Sequence, residues 1–100
     1  MKSKRTLATS ISNQVRQRVR DRDKWCIFCG QGQSLTVAHY IPRSGGGLGI
    51  EENLALACIT CHQYLDFTVN RSQMMRHFQA HLKKHYPEWE KKELRFKKYE

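Results

Sequence analysis

The sequence predicts a small α+β domain, and three observations carry that prediction: two Cys-x2-Cys pairs, a strand-like run between them, and helix-like periodicity on both flanks. The pairs are Cys26/Cys29 and Cys58/Cys61, with 28 residues between them. Two knuckles of this spacing read as a tetrahedral four-cysteine zinc site. No stretch approaches roughly 18 apolar residues and no N-terminal apolar run resembles a signal peptide, so the chain is expected to be soluble and to stay in a reducing compartment. That favours thiolates on zinc over disulfides. One hundred residues allow one domain with a small core. A structural zinc, contributing about 10–16 kcal/mol that is largely folding free energy, is a useful staple at this size.

Residues 1–9 read as a disordered basic arm, and residues 10–100 as one domain. From about Ser10 to Asp21, Ile11, Val15 and Val19 recur at helical spacing, and Ser10 or Ser12 can cap the start. The stripe is narrow, which places this helix on a surface. Trp25 to Gly30 forms the first knuckle, with Gly30-Gln31-Gly32 as its turn. Leu35 to Ile41 suits a strand with Val37, His39 and Ile41 on one face and Ala38 and Tyr40 on the other. Pro42 ends it. Ser44 to Gly49 reads as a flexible glycine-rich loop, and Asn53 to Ala57 as the returning strand. A helix is expected to begin within Cys58–Cys61 and to run past Asp66. The zinc-bearing core therefore spans about 25–68, and a helical part about 70–100. In the latter, Met74, Phe78 and Leu82 form a core stripe between Arg71 and Lys84. Trp89, Leu94 and Phe96 are expected to pack back on the body.

The net charge of +9 is uneven. Residues 1–24 carry +6, residues 25–62 carry −1, and residues 63–100 carry +4. Basic ends around a nearly neutral centre fit a chain whose flanks grip a polyanion. No segment pairs a basic face with a broad apolar one, so a membrane surface is not the expected partner. Arg16, Arg18, Arg20, Arg22 and Lys24 can neutralise phosphates along a nucleic-acid backbone without reading bases, and Arg43, at the exit of the first strand, can contact the same backbone.

The run Val37-Ala38-His39-Tyr40-Ile41-Pro42-Arg43-Ser44-Gly45-Gly46, followed by Glu52-Asn53-Leu54 and Cys58-Ile59-Thr60-Cys61-His62, resembles the HNH endonuclease family. His39, Asn53 and His62 match its three named letters, with 13 residues between the first two and 8 between the last two. The flanking cysteines match members that carry a structural zinc. The resemblance implies a ββα-metal (His-Me finger) core with flanking helices. It also implies metal-dependent hydrolysis of double-stranded DNA with 5′-phosphate ends, in a bacterial or phage-infected cytoplasm; few features suggest base-edge readout, so low sequence specificity is expected. His39 would be the general base, Asn53 the brace that orients it, and His62 a ligand of the catalytic ion. His85-Tyr86-Pro87-Glu88-Trp89 further resembles small phage-encoded members that work beside the DNA-packaging machinery, which implies terminase-like partners. A non-catalytic zinc module binding nucleic acid on the same scaffold is the alternative.

The chain departs from the family pattern at one position. Many members place an acidic residue or a second histidine just before the first catalytic histidine, as a metal ligand; here Ala38 stands there. Asp66 lies four residues after His62 and so on the same helical face. His62 and Asp66 are therefore expected to share the catalytic ion, Mg2+ or Mn2+ by ligand type, with Ni2+ or Zn2+ also able to bind. His77, His81 and His85 also fall four apart, but with no cysteine or acid at suitable spacing they are expected to line a surface or pack against the tail.

Overall fold

The computed structural model describes residues 3–67 and 69–96. Residues 1, 2, 68 and 97–100, which the expected arm, core boundary and C-terminal part include, lie outside the described residues. The elements run α1 (Lys4–Thr9), α2 (Asn13–Asp23), β1 (Leu35–His39), β2 (Leu54–Cys58), α3 (Ile59–Phe67) and α4 (Arg71–His85). Short 3-10 turns occupy Arg43–Gly45, Glu51–Asn53 and Lys91–Leu94. The architecture is α+β, with the strand–strand–helix order of a ββα-metal core.

β1 and β2 pair antiparallel, with Val37 opposite Leu56 and His39 opposite Leu54. Because side chains alternate along a strand, the two faces differ. On one, Leu54, Leu56 and Val37 pack against Val15 and Val19 of α2. On the other, the small residues Ala38, Ala55 and Ala57 let helices settle close to the sheet. There Tyr40, Leu65, Phe78 and Leu82 fill the larger core. Tyr40 meets Phe78 and Trp89 edge-on, each at 5.4 Å between ring centres. Truncating the fully buried Phe78 to alanine would cost about 3–5 kcal/mol.

The structure corrects four sequence expectations. The strand expected to reach Ile41 stops at His39, because Asn53 takes over the pairing: Tyr40 N donates to the Asn53 carbonyl and Ile41 N to Asn53 Oδ1, each at 2.8 Å. The helix expected from Ser10 starts at Asn13, where Ser12 Oγ accepts from Val15 N at 3.1 Å as the N-cap. Lys4–Thr9 is a short helix, not a free arm. Ser3 Oγ caps it by accepting from Thr6 N, and Thr9 is buried.

The glycine-rich segment is likewise a held turn, not a flexible loop. Gly49 N donates to the Ala8 carbonyl, and Leu48 N to the Leu94 carbonyl. Arg5 donates to the Ser44 carbonyl at 2.8 Å. Both ends of the chain thus clamp the segment that leaves β1. A Cβ on Gly47 would sit 1.7 Å from the Ile41 carbonyl oxygen, and one on Gly49 would sit 2.0 Å from that of Ser10. The glycines serve close backbone approach.

Candidate active site

The cysteines come from the knuckle before β1 and from the junction of β2 with α3. Cys29 Sγ and Cys58 Sγ lie 3.7 Å apart, close to the roughly 3.8 Å between two thiolates on a tetrahedral zinc with bonds of about 2.3 Å. All four sulfurs fall within 4.8 Å of one another, and no disulfide joins them. Phe28 N donates to Cys26 Sγ and Cys61 N to Cys58 Sγ, each at 3.4 Å. Burial opposes ionisation of Cys26, but N–H groups of Cys58, Cys29 and Phe28 outweigh it and bring that thiol down to about 7. Burial pushes the Cys61 thiol up, and the crowding of Cys58, Cys29 and Cys26 adds to it. Four sulfurs this close, two of them receiving N–H donors, fit a zinc ion in place of their protons.

His39 closes β1 on the face shared with α2. Its Nε2 is buried with no hydrogen-bond partner among the described residues. Burial pushes the imidazole below its ordinary range. The Thr9 carbonyl pulls it upward, and Arg43, His62 and Arg16 push it down again. The ring is therefore a neutral base near pH 7, set among positive neighbours.

Asn53 is fully buried at the end of the second 3-10 turn. Its Oδ1 accepts from Ile41 N, and its Nδ2 donates to the carbonyls of Ile41 at 3.1 Å and Leu48 at 2.9 Å. One carboxamide thereby ties the exit of β1 to the glycine turn.

His62 lies in the first turns of α3, half-buried, with Nδ1 at 2.8 Å from Thr36 Oγ1. Thr36, Ile59, His62, Gln63 and Asp66 line one shallow depression of about 240 Å³. His62 and Asp66 therefore open on the same space, and a nitrogen with an exposed carboxylate suits a divalent ion. Ala38 is fully buried against the helices, so the position directly before His39 serves packing and offers no metal ligand.

The basic residues divide. Arg16 and Arg43 act electrostatically on His39, while Arg18 and Arg20 are exposed. Lys24 closes α2 at a positive φ of 68° and is also exposed. Arg22 is not a free phosphate contact. Its Nε and Nη2 donate to the two carboxylate oxygens of Asp23 at 2.6 and 2.9 Å, and its remaining donors reach the Glu51 and Leu54 carbonyls and Tyr86 Oη. Asp23 also accepts from Leu56 N at 3.0 Å, and His81 Nε2 lies 2.7 Å from its Oδ1. An acid thus does meet the His81/His85 line, supplied by α2. With Arg22 on both its oxygens, Asp23 is a buried ion-pair brace.

Sequence reasoning missed Thr9, Thr36 and Asp23. Thr9 and Thr36 act through partners remote in sequence, and Asp23 joins its neighbour Arg22 to the distant Leu56 and His81. Searched against curated proteins, the chain has no significant match. A family model described as HNH endonuclease matches residues 26–86, which include all four cysteines, His39, Asn53, His62 and Asp66.

Proposed function

The chain belongs to the HNH endonuclease family, and from that premise we propose that it hydrolyses DNA phosphodiester bonds with a loosely held divalent cation and little sequence preference. His39 accepts a proton as water oxygen bonds to phosphorus and the bond to the 3′ oxygen breaks, leaving a 5′-phosphate and a 3′-hydroxyl. Arg43 and Arg16, whose charges reach His39, would offset the negative charge of the phosphoryl oxygens. Asn53 keeps the exit of β1, and with it His39, at a fixed distance from the glycine turn. His62 and Asp66 would hold the cation, which when bound supplies charge to the crowded transition state and the departing oxygen. Arg18, Arg20 and Lys24 add phosphate contacts that carry no base information.

The observation that carries this reading is the buried Nε2 of His39, without a partner among the described residues and under the charge of two arginines. A polar atom left so in a folded protein is costly, and reactive groups are where that cost is tolerated. The test is nicking of supercoiled plasmid with Mg2+, Mn2+ or Ni2+, comparing the parent with His39→Ala. Cleavage lost in the variant supports the reading. Salt-sensitive binding without cleavage in the parent supports the non-catalytic module instead, the alternative that the buried Ala38 favours. Among the described residues no helix is long and apolar enough to cross a membrane. The proposed link to phage packaging partners rests on the resemblance of His85–Trp89, within which Tyr86 and Trp89 also pack: Tyr86 meets Arg22, and Trp89 Nε1 donates to the Glu52 carbonyl.

A further inference from the structure

The proton count at Thr36 assigns a positioning role outside the matched histidines and asparagine. Thr36 Oγ1 lies 2.7 Å from the Ala57 carbonyl oxygen and 2.8 Å from His62 Nδ1. A hydroxyl has one proton, and a carbonyl oxygen can only accept. The Thr36 proton is therefore committed to Ala57, and Thr36 Oγ1 must accept from His62. His62 Nδ1 then carries the hydrogen, and Nε2 is left as the lone pair of the neutral ring. We infer that Thr36 fixes the Nδ1–H tautomer of His62 and so reserves Nε2 for a metal ion. Partners of this kind are what orient histidine ligands in metal sites. The clamp is rigid because Thr36 sits in β1 directly opposite Ala57 of β2, so the hairpin's own register positions it. This inference rests on the reading of His62 as a cation ligand, but its first test does not.

That test is a two-bond proton–nitrogen correlation spectrum of the zinc-loaded protein, free of other divalent ions and DNA. It is taken at about pH 8.5, well above the ordinary imidazole pKa. His62 is expected as the Nδ1–H tautomer, and finding it as Nε2–H overturns the inference. In Thr36→Val, which keeps the shape and loses the acceptor, the spectrum should shift toward Nε2–H. Thr36→Ser should restore the parent pattern. An unchanged spectrum in Thr36→Val overturns the clamp, and the parent spectrum alone decides the case should that variant misfold. Mn2+ affinity, read by titration, should fall about 10–100-fold in Thr36→Val and recover in Thr36→Ser. If the tautomer shifts while Mn2+ affinity stays level in both variants, the clamp stands and the role of His62 as a cation ligand is what fails.

Discussion

Asn53 grips Ile41 through both of that residue's backbone groups, accepting from its N–H at 2.8 Å and donating to its carbonyl at 3.1 Å. A side chain thereby substitutes for a strand at the point where β1 ends. With the third bond to Leu48, Asn53→Ala removes three buried hydrogen bonds and should cost about 3 kcal/mol. Asn53→Asp keeps the acceptor but sets a buried carboxylate oxygen against the Ile41 and Leu48 carbonyls, so it should lower the melting temperature at least as much as Asn53→Ala. Nicking should drop more steeply than stability in both, because the exit of β1 carries His39. Calorimetry alongside plasmid nicking separates the two, and activity that merely tracks folded fraction would remove the orienting role.

The pH profile follows from the surroundings of His39. A general base works unprotonated, and burial holds this imidazole below its ordinary value of 6.5. Nicking should therefore persist at that pH and fade only as pH drops through the lower folded value. Arg43→Ala takes away a positive neighbour, so the acid limb should move to higher pH. His39→Ala should lose about 10²–10⁴-fold in rate with zinc content unchanged. An acid limb centred above 6.5 in the parent would assign the proton to another group.

How much of this was legible in the chain depends on the range over which each signal acts. The cysteine knuckles, the hairpin and the order His39, Asn53, His62 are written in short spacings, and the fold follows them. What escaped is long-range pairing. Thr36 is 26 positions from His62, and Asp23 is 58 from His81. α1 was missed because Lys4–Thr9 carries no apolar stripe; its backbone contacts with the glycine turn hold it. Arg22 misled for the opposite reason. Its charge groups it with the basic run, although it lies seven residues after Val15 and three after Val19, on the apolar stripe, and in the fold its guanidinium turns inward to Asp23.

Arg22 and Arg16 should accordingly fail in different ways. Burial alone would raise the Asp23 carboxyl, but bonds from Arg22, His81 and the Leu56 N–H hold it well below the usual carboxylate range. Its stabilisation is thus full above an unfolded value of 3.8 and is lost as pH falls below that. Arg22→Ala leaves the buried carboxylate short of its partner and should cost about 3–5 kcal/mol. Arg16→Ala should leave the stability within about 0.5 kcal/mol of the parent and lower the salt slope of DNA binding by about one. If Arg22→Ala instead behaved like Arg16→Ala, the brace would be dispensable.

The glycine turn offers a steric contrast within three residues. An added methyl at Gly47 meets the Ile41 carbonyl at 1.7 Å, backbone that cannot step aside without disturbing the Asn53 clamp. At Gly45 the nearest atoms are the side chains of Ile41 and Pro42 at 3.9 Å, ordinary contact. Gly47→Ala should cost about 1–3 kcal/mol and reduce nicking beyond that loss. Gly45→Ala should be near neutral on both counts. Equal tolerance at the two positions would mean that the turn is looser than its hydrogen bonds imply.

Metal removal would separate the proposed catalytic cation from a zinc held by the four cysteines. The four sulfurs belong to elements on both sides of the hairpin, so their ion ties the knuckle at Cys26 to the start of α3. Binding free energy for such sites, about 10–16 kcal/mol, is comparable to the whole net stability of a typical domain, about 5–15 kcal/mol. Brief exposure to EDTA should stop nicking while circular dichroism stays native, and added Mn2+ should restore it. Prolonged exposure to a strong zinc chelator, or Cys58→Ser, should unfold the chain, with about one zinc lost per molecule by elemental analysis. A chain that keeps its native spectrum after losing that zinc would show that the hairpin and α4 suffice for folding. The cysteine site would then act on the position of His62 alone.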